Sequence, residues 1–320
     1  YVVDDLGDVV LETSGLAAGT SDQANSSLAA YSLTDNVENG RILLVGAANL
    51  TGNTLANILI AGLGNNTLDG AGGLDTASYA VAASAVTVNL GLAGAQATGG
   101  SGSDTLIAIE NISGSNFADT LTGSAGANVL SGGVGNDTVN GGAGQDTLFG
   151  GAGNDVLDGG TITDRVNYND LNVVSYAEAS AAALINLQAG TANDGQGGVD
   201  TLSNLNFVVG TAFNDTITGS STDNLFEQFE GGLGNDTIDG GAINLVTGNN
   251  SNRVNYSTAA AEVTVDLGLG TATGGAGSDT LININHVRGS AFADTLLGSN
   301  TTSWTEQFEG RQGNDTINGL

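Results

Sequence analysis

The chain of 320 residues contains no proline, cysteine, methionine or lysine, and only one histidine and one tryptophan. Without cysteine no disulfide can staple the fold, and the redox compartment leaves no mark on the sequence. Only five arginines stand against 34 acidic residues, so the formal charge is -29 at pH 7. Phosphate binding needs basic patches, which excludes nucleic acid as a partner. No apolar run reaches membrane-spanning length, so membrane insertion is not expected, and no segment reads as a signal peptide. The chain opens at Tyr1, without an initiator methionine and in what reads as mid-domain. It is therefore expected to be a processed product or a piece of a longer protein, with any export signal outside these residues.

The same scarcity argues against catalysis. With His286 alone and no cysteine, no Ser-His-Asp arrangement or phosphate loop can be assembled. Paired carboxylates serve glycosidases, but the acids here recur periodically. His286, in the stretch NINHVR, reads as a strand-packing or surface residue, and Trp304 as packing in a widened turn.

What the chain has in quantity is glycine, 52 residues, set in a fixed pattern with aspartate. Residues 132 to 158 read GGVGNDTVN, GGAGQDTLF and GGAGNDVLD, three consecutive nonapeptides of the form G-G-x-G-x-D-x-U-x, where U is a large apolar residue. The glycines let the backbone turn tightly with its carbonyls exposed, the sixth position supplies a carboxylate, and the last three residues suffice for one short strand. Hard oxygen donors at that spacing read as a calcium-binding repeat. The frame extends upstream through GSNFADTLT (114 to 122) and GSAGANVLS (123 to 131), and reappears over 52 to 78 with Asn57 and Asn66 at the sixth position. A neutral amide is the weaker calcium ligand.

A longer period overlies the short one. Three related segments start at Tyr79, Tyr176 and Tyr256, and in each the calcium-type aspartates lie 15 positions apart: Asp104 to Asp119, Asp200 to Asp215, Asp279 to Asp294. The six extra residues (AIENIS, NLNFVV, NINHVR) are expected to lengthen one strand without breaking the coil. The alternating stretches VTVNLGL and VTVDLGL predict strands with one buried face. Matching twelve-residue segments, 219 to 230 and 298 to 309, regain the frame if a three-residue insertion sits at their front. Glu227 and Glu306 then fall at the ligand position, with Phe229 and Phe308 at U. Each glutamate reads either as a longer-reaching calcium ligand or as an exposed acid beside a wide turn. Threonine follows the ligand aspartate at ten positions, among them Thr120, Thr138, Thr216 and Thr237, which predicts outward-facing threonine ladders.

The pattern resembles that of the RTX (repeats-in-toxin) proteins, whose signature G-G-x-G-x-D-x-U-x specifies a calcium-binding parallel β-helix. The resemblance implies an all-β fold, a right-handed parallel β-solenoid (RTX β-roll) with irregular wider rungs, in which two nonapeptides make one turn and the U residues fill a thin core. It implies multiple Ca2+ ions, each between loops stacked one turn apart, pairing Asp119 with Asp137, Asn128 with Asp146 and Asp137 with Asp155, with loop carbonyls as the remaining ligands. The expected metal positions are Asp75, Asp104, Asp119, Asn128, Asp137, Asp146, Asp155, Asp200, Asp215, Glu227, Asp236, Asp279, Asp294, Glu306 and Asp315. Residues 1-51 are expected to form a β-rich leading segment, followed by superrepeats at 52-158, 159-239 and 240-320. Stacked like charges in such a coil repel, so calcium binding and folding are expected to be one coupled event. The resemblance further implies type I secretion and an extracellular or cell-surface location. The expected role is that of a calcium-stabilised structural segment of a bacterial surface or matrix protein, self-associating head to tail into a filament. The alternative is a carrier module of a secreted enzyme or toxin whose active domain lies outside the chain.

Overall fold

The structure, a computed structural model, describes residues 1–12, 22–163, 170–222, 224–242 and 251–319. All regular structure among them is β, in strands of two to six residues. Among the described residues no helix is long and apolar enough to cross a membrane. The chain divides into two units, Tyr1–Gly150 and Gly151–Leu320, and each is a parallel β-solenoid.

In the first unit the strands Thr87–Asn89, Thr120–Thr122 and Thr138–Asn140 pair in parallel on one side. Thr76–Ser78, Asn111–Ser113 and Val129–Val134 do so on another. In the unbroken frame that leads into the strict nonapeptides, Leu121 faces Val139, so one rung there is two nonapeptides and U stacks upon U, and Ile112 faces Leu130 at the same spacing. These side chains are all buried, and a continuous aliphatic column is the hydrophobic core. The flanking residues point away from it. Thr87, Thr120 and Thr138 follow one another in register, and Thr216, Thr237 and Thr280 do the same in the second unit, as the sequence predicts.

The second unit repeats the plan. Val173–Ser175, Phe207–Val209, Phe226–Glu230, Ser251–Asn255, His286–Arg288 and Gln307–Glu309 form one parallel sheet. Its central residues Val174, Val208, Phe229, Val254 and Val287 are buried. The VTVNLGL and VTVDLGL stretches form strands with one buried face: Val86, Val88, Val263 and Val265 point inward, Thr87 and Thr264 outward.

Two features depart from the expected coil. The six-residue stretches do not lengthen a strand. Ala108, Asn204 and Asn283 adopt φ of 47°, 52° and 54°, and this left-handed turn ends one strand and starts another, at Asn111, Phe207 and His286. Asparagine tolerates that conformation better than most residues. Each superrepeat also folds an antiparallel hairpin out of the coil: Gln96–Gly99 with Gly102–Ile107, Thr191–Asn193 with Val199–Ser203, and Thr271–Gly274 with Gly277–Ile282.

Candidate metal centres

The sixth residue of each repeat stands within a strand or immediately before one, two positions before the U residue, so its side chain turns to the same side as U. Asp75, Asp104, Asp119, Asp137, Asp146, Asp155, Asp200, Asp215, Asp236, Asp279 and Asp294 are all buried, as are Asn128 and Glu227. Asp315 and Glu306 are partly exposed.

One bond recurs throughout. In most of the aspartates one oxygen accepts the main-chain amide of the residue at the same position one rung earlier, whereas Asn128, Glu227 and Glu306 accept amides of their own loops. Asp119 N donates to Asp137 Oδ1 (2.7 Å), Asn128 N to Asp146 Oδ1 (2.9 Å), Asp215 N to Asp236 Oδ1 (2.8 Å) and Asp294 N to Asp315 Oδ1 (3.0 Å). The pairs Asp119 with Asp137 and Asn128 with Asp146 are thus brought together. Asparagine can replace aspartate in this bond, since Asn172 N donates to Asn206 Oδ1 and Asn252 N to Asn285 Oδ1. Sequence reasoning missed these four, although each stands two residues before a buried valine, which is the signal that would have found them. It also missed Glu110, whose Oε2 accepts Asp75 N at 2.9 Å.

The partner of the remaining oxygen divides the acids into three kinds. Where serine or threonine replaces the second glycine of the repeat, the loop closes on its own carboxylate. Ser115 donates to Asp119 from its amide (2.5 Å) and hydroxyl (2.8 Å), Thr211 to Asp215 at the same distances, and Ser290 to Asp294 from both groups at 2.6 Å. Glu306 takes the amide and hydroxyl of Ser299, and Glu227 the amide of Ser220. The longer side chain spans seven residues where aspartate spans four. Glu227 is therefore a buried, loop-closing acid at the ligand position, not an exposed one.

In the second kind the donor is a hydroxyl from outside the repeat loop, on the strand that pairs back as a hairpin or on a tyrosine more than twenty residues away. Tyr176 Oη donates to Asp200 Oδ2 (2.9 Å) and Tyr256 Oη to Asp279 Oδ2 (2.8 Å). Asp104 lies beside the buried Tyr79 and takes Thr98 Oγ1 on Oδ2 at 3.0 Å. Burial first, and the adjacent carboxylate second, hold all three tyrosine hydroxyls protonated.

The third kind is open. Asp75 Oδ2 and Asp236 Oδ2 are buried and meet no hydrogen-bond donor, and the same holds for Asp194 Oδ2, another residue that the repeat frame did not reveal. An ionised oxygen in that position is costly. Burial pushes Asp236 up to about 7, aided by the charges of Asp279 and Asp215 and opposed by the Asp215 amide. Burial likewise raises Asp75, Asp200 to about 6 and Glu227 to about 7.

These oxygens fit a hard divalent cation. Glycine at the first repeat position leaves a niche in which carboxylate and carbonyl oxygens converge. A Cβ on Gly70 would meet Asp75 Oδ2 at 2.4 Å and Ala108 O at 2.1 Å, and one on Gly132 would meet Asp137 Oδ2 at 2.3 Å and Gly150 O at 2.6 Å. No group of three or more His, Cys, Asp or Glu side chains suited to a metal occurs among the described residues. An ion would draw most of its shell from main-chain carbonyls, which suits Ca2+ with its six to eight oxygen ligands. His286 takes no part in such a site. It packs 6.2 Å from the Phe226 ring, and burial, then Arg253, pushes it down to about 4.

The RTX calcium-binding nonapeptide repeat, as a family model of four copies, matches residues 49–78, 113–148, 131–161, 204–227 and 226–242. No curated protein matches the chain.

Proposed function

We propose that this chain of RTX calcium-binding nonapeptide repeats is a calcium-stabilised structural segment of a secreted bacterial surface or matrix protein. The observation that carries the reading is the ladder of buried acids at one repeat position, some of them with an oxygen that no protein donor reaches. Such charges oppose folding until a cation neutralises them, which makes the solenoid conditional on its metal. Extracellular calcium modules bind at about 0.1 to 1 mM. A chain tuned to that range would stay incompletely folded at the low calcium of a cytoplasm and complete its fold on export.

Head-to-tail self-association is part of this proposal: the successive rungs pair in parallel, as Gln307–Glu309 and Thr316–Asn318 do with the rung before them, and parallel pairing of this kind can continue from one copy to another. A carrier module for a secreted enzyme or toxin is the competing reading. Three long superrepeats with hairpins favour the structural one over a single compact block of repeats. Far-ultraviolet circular dichroism during a calcium titration tests the central step: β-structure should rise and saturate in the millimolar range. A full β signal in excess chelator would overturn it. Electron microscopy of the calcium-loaded protein separates the two roles, fibres supporting assembly and discrete particles opposing it.

A further inference from the structure

The repeat GGAGSDTLI at 274 to 282 satisfies the nonapeptide pattern at every position, yet its backbone does something else. Gly274 and Gly277 are partners at the tip of an antiparallel hairpin. The Gly275 amide donates to Glu262 O, and Ala276 O accepts the Gly234 amide, both at 3.1 Å. The Ala276 carbonyl, a group of the kind a calcium loop would turn toward an ion, is here engaged in main-chain pairing, and the Gly275 amide ties the hairpin tip to the neighbouring strand. The corresponding stretch before Asp104 closes in the same way, with Gly99 opposite Gly102 and the Gly100 amide on Ala85 O at 3.1 Å.

The carboxylate of Asp279 is nevertheless fully engaged. Oδ1 accepts the Asp236 amide at 3.0 Å and Oδ2 the Tyr256 hydroxyl at 2.8 Å. Asp200 has the same pair of donors, the Asp155 amide at 3.0 Å and the Tyr176 hydroxyl at 2.9 Å. Asp104 accepts the Asn66 amide at 2.7 Å and the Thr98 hydroxyl at 3.0 Å, beside Tyr79. The three tyrosines are placed alike. Each follows the end of a strand, donates its amide to the next rung (Ser113 O, Val209 O, Arg288 O) and accepts an amide from three residues on (Ala82, Ala179, Ala259). A buried tyrosine hydroxyl requires a partner, and a charge-assisted bond to carboxylate is a strong one.

We propose that Tyr176 and Tyr256, and Thr98 beside Tyr79, stand where an ion would otherwise lie, so that Asp200, Asp279 and Asp104 hold their rungs without calcium. Metal is then confined to loops whose carboxylate has no such donor, among them those of Asp75 and Asp236. Each superrepeat would carry a built-in rung that needs no ion, placed at its hairpin, between rungs that do.

This inference rests on the calcium-binding reading above. It is tested by the number of calcium ions bound by the full chain in equilibrium dialysis, for the wild type and for Asp279→Asn, Asp200→Asn and Asp236→Asn. An amide at 279 or 200 keeps the Oδ1 acceptor and turns an NH2 toward a hydroxyl able to accept it, so the expected count is unchanged. Asp236→Asn should lower it by one. Loss of an ion from Asp279→Asn or Asp200→Asn, or no loss from Asp236→Asn, overturns the assignment and leaves calcium binding itself intact. A wild-type chain that binds no calcium overturns both. Tyr256→Phe, which removes only the donor, should lower the thermal midpoint at saturating calcium, and an unchanged midpoint also counts against the assignment.

Discussion

The amide of Asp215 donates to Oδ1 of Asp236 at 2.8 Å, one rung later, while Oδ2 of the same carboxylate is buried without a donor. One oxygen of this side chain sets the register of the solenoid, and the other is left for something outside the chain. Asp236→Asn separates the two functions. The amide oxygen still accepts from Asp215, but the buried charge is gone. In chelator the variant should melt higher than wild type by about 2–4 °C, the shift that roughly 1 kcal/mol gives in a domain of this size. In calcium it should gain less than wild type. Thermal melts in both buffers decide the point.

The raised carboxyl groups make the metal-free chain sensitive to pH. Asp200, Glu227 and Asp236 titrate at about 6, 7 and 7 when folded, against 3.8, 4.5 and 3.8 as ordinary groups. Each binds its proton more tightly when folded, so its stabilising contribution is complete below its ordinary value and is lost as pH rises through its folded one. In chelator, stability should therefore fall between about pH 4 and pH 7 from these groups. Calcium should remove the share of Asp236 from that slope and release its proton on binding near pH 6, readable by calorimetry in buffers of different ionisation enthalpy.

Loop closure by serine should be independent of metal. Ser115→Ala removes the hydroxyl bond to Asp119 and the bond that the same oxygen accepts from the Phe117 amide at 3.1 Å, while the amide bond to the carboxylate remains. The expected cost is about 1–2 kcal/mol. The denaturation midpoint should drop equally with calcium and with chelator.

Leu121 stacks on Val88 and Val139 in the aliphatic column and is fully buried. In so thin a core few neighbours can close the gap left by Leu121→Ala. The loss should reach about 2–5 kcal/mol, measured by urea denaturation in saturating calcium.

Much of the fold is legible in the chain because it is periodic. The U residues and the threonine ladders follow from counting in nines, the rung of two nonapeptides from the family resemblance, and Glu227 and Glu306 reach the sixth position only once a three-residue insertion is allowed before them. What counting could not reach depends on local backbone choices. AIENIS, NLNFVV and NINHVR form new strands because Ala108, Asn204 and Asn283 turn left-handed, and nothing in a nine-residue frame demands it. GGAGSDTLI satisfies the same pattern as GGAGNDVLD, yet Thr271–Gly274 pairs back on it as a hairpin. The contact of Tyr256 with Asp279 exists only once that hairpin has formed, so no local pattern announces it.

If calcium relieves charges that the fold buries, it must stabilise the folded chain in proportion to its concentration. The most direct measurement is the thermal midpoint of the full chain as a function of calcium concentration, with magnesium at equal ionic strength as the control. The midpoint should climb with the logarithm of calcium, as mass action on the folded state requires. It should rise much less with magnesium, which demands a regular octahedron that carbonyl-rich loops do not offer. A midpoint indifferent to calcium would contradict a role for the ion in holding these rungs together.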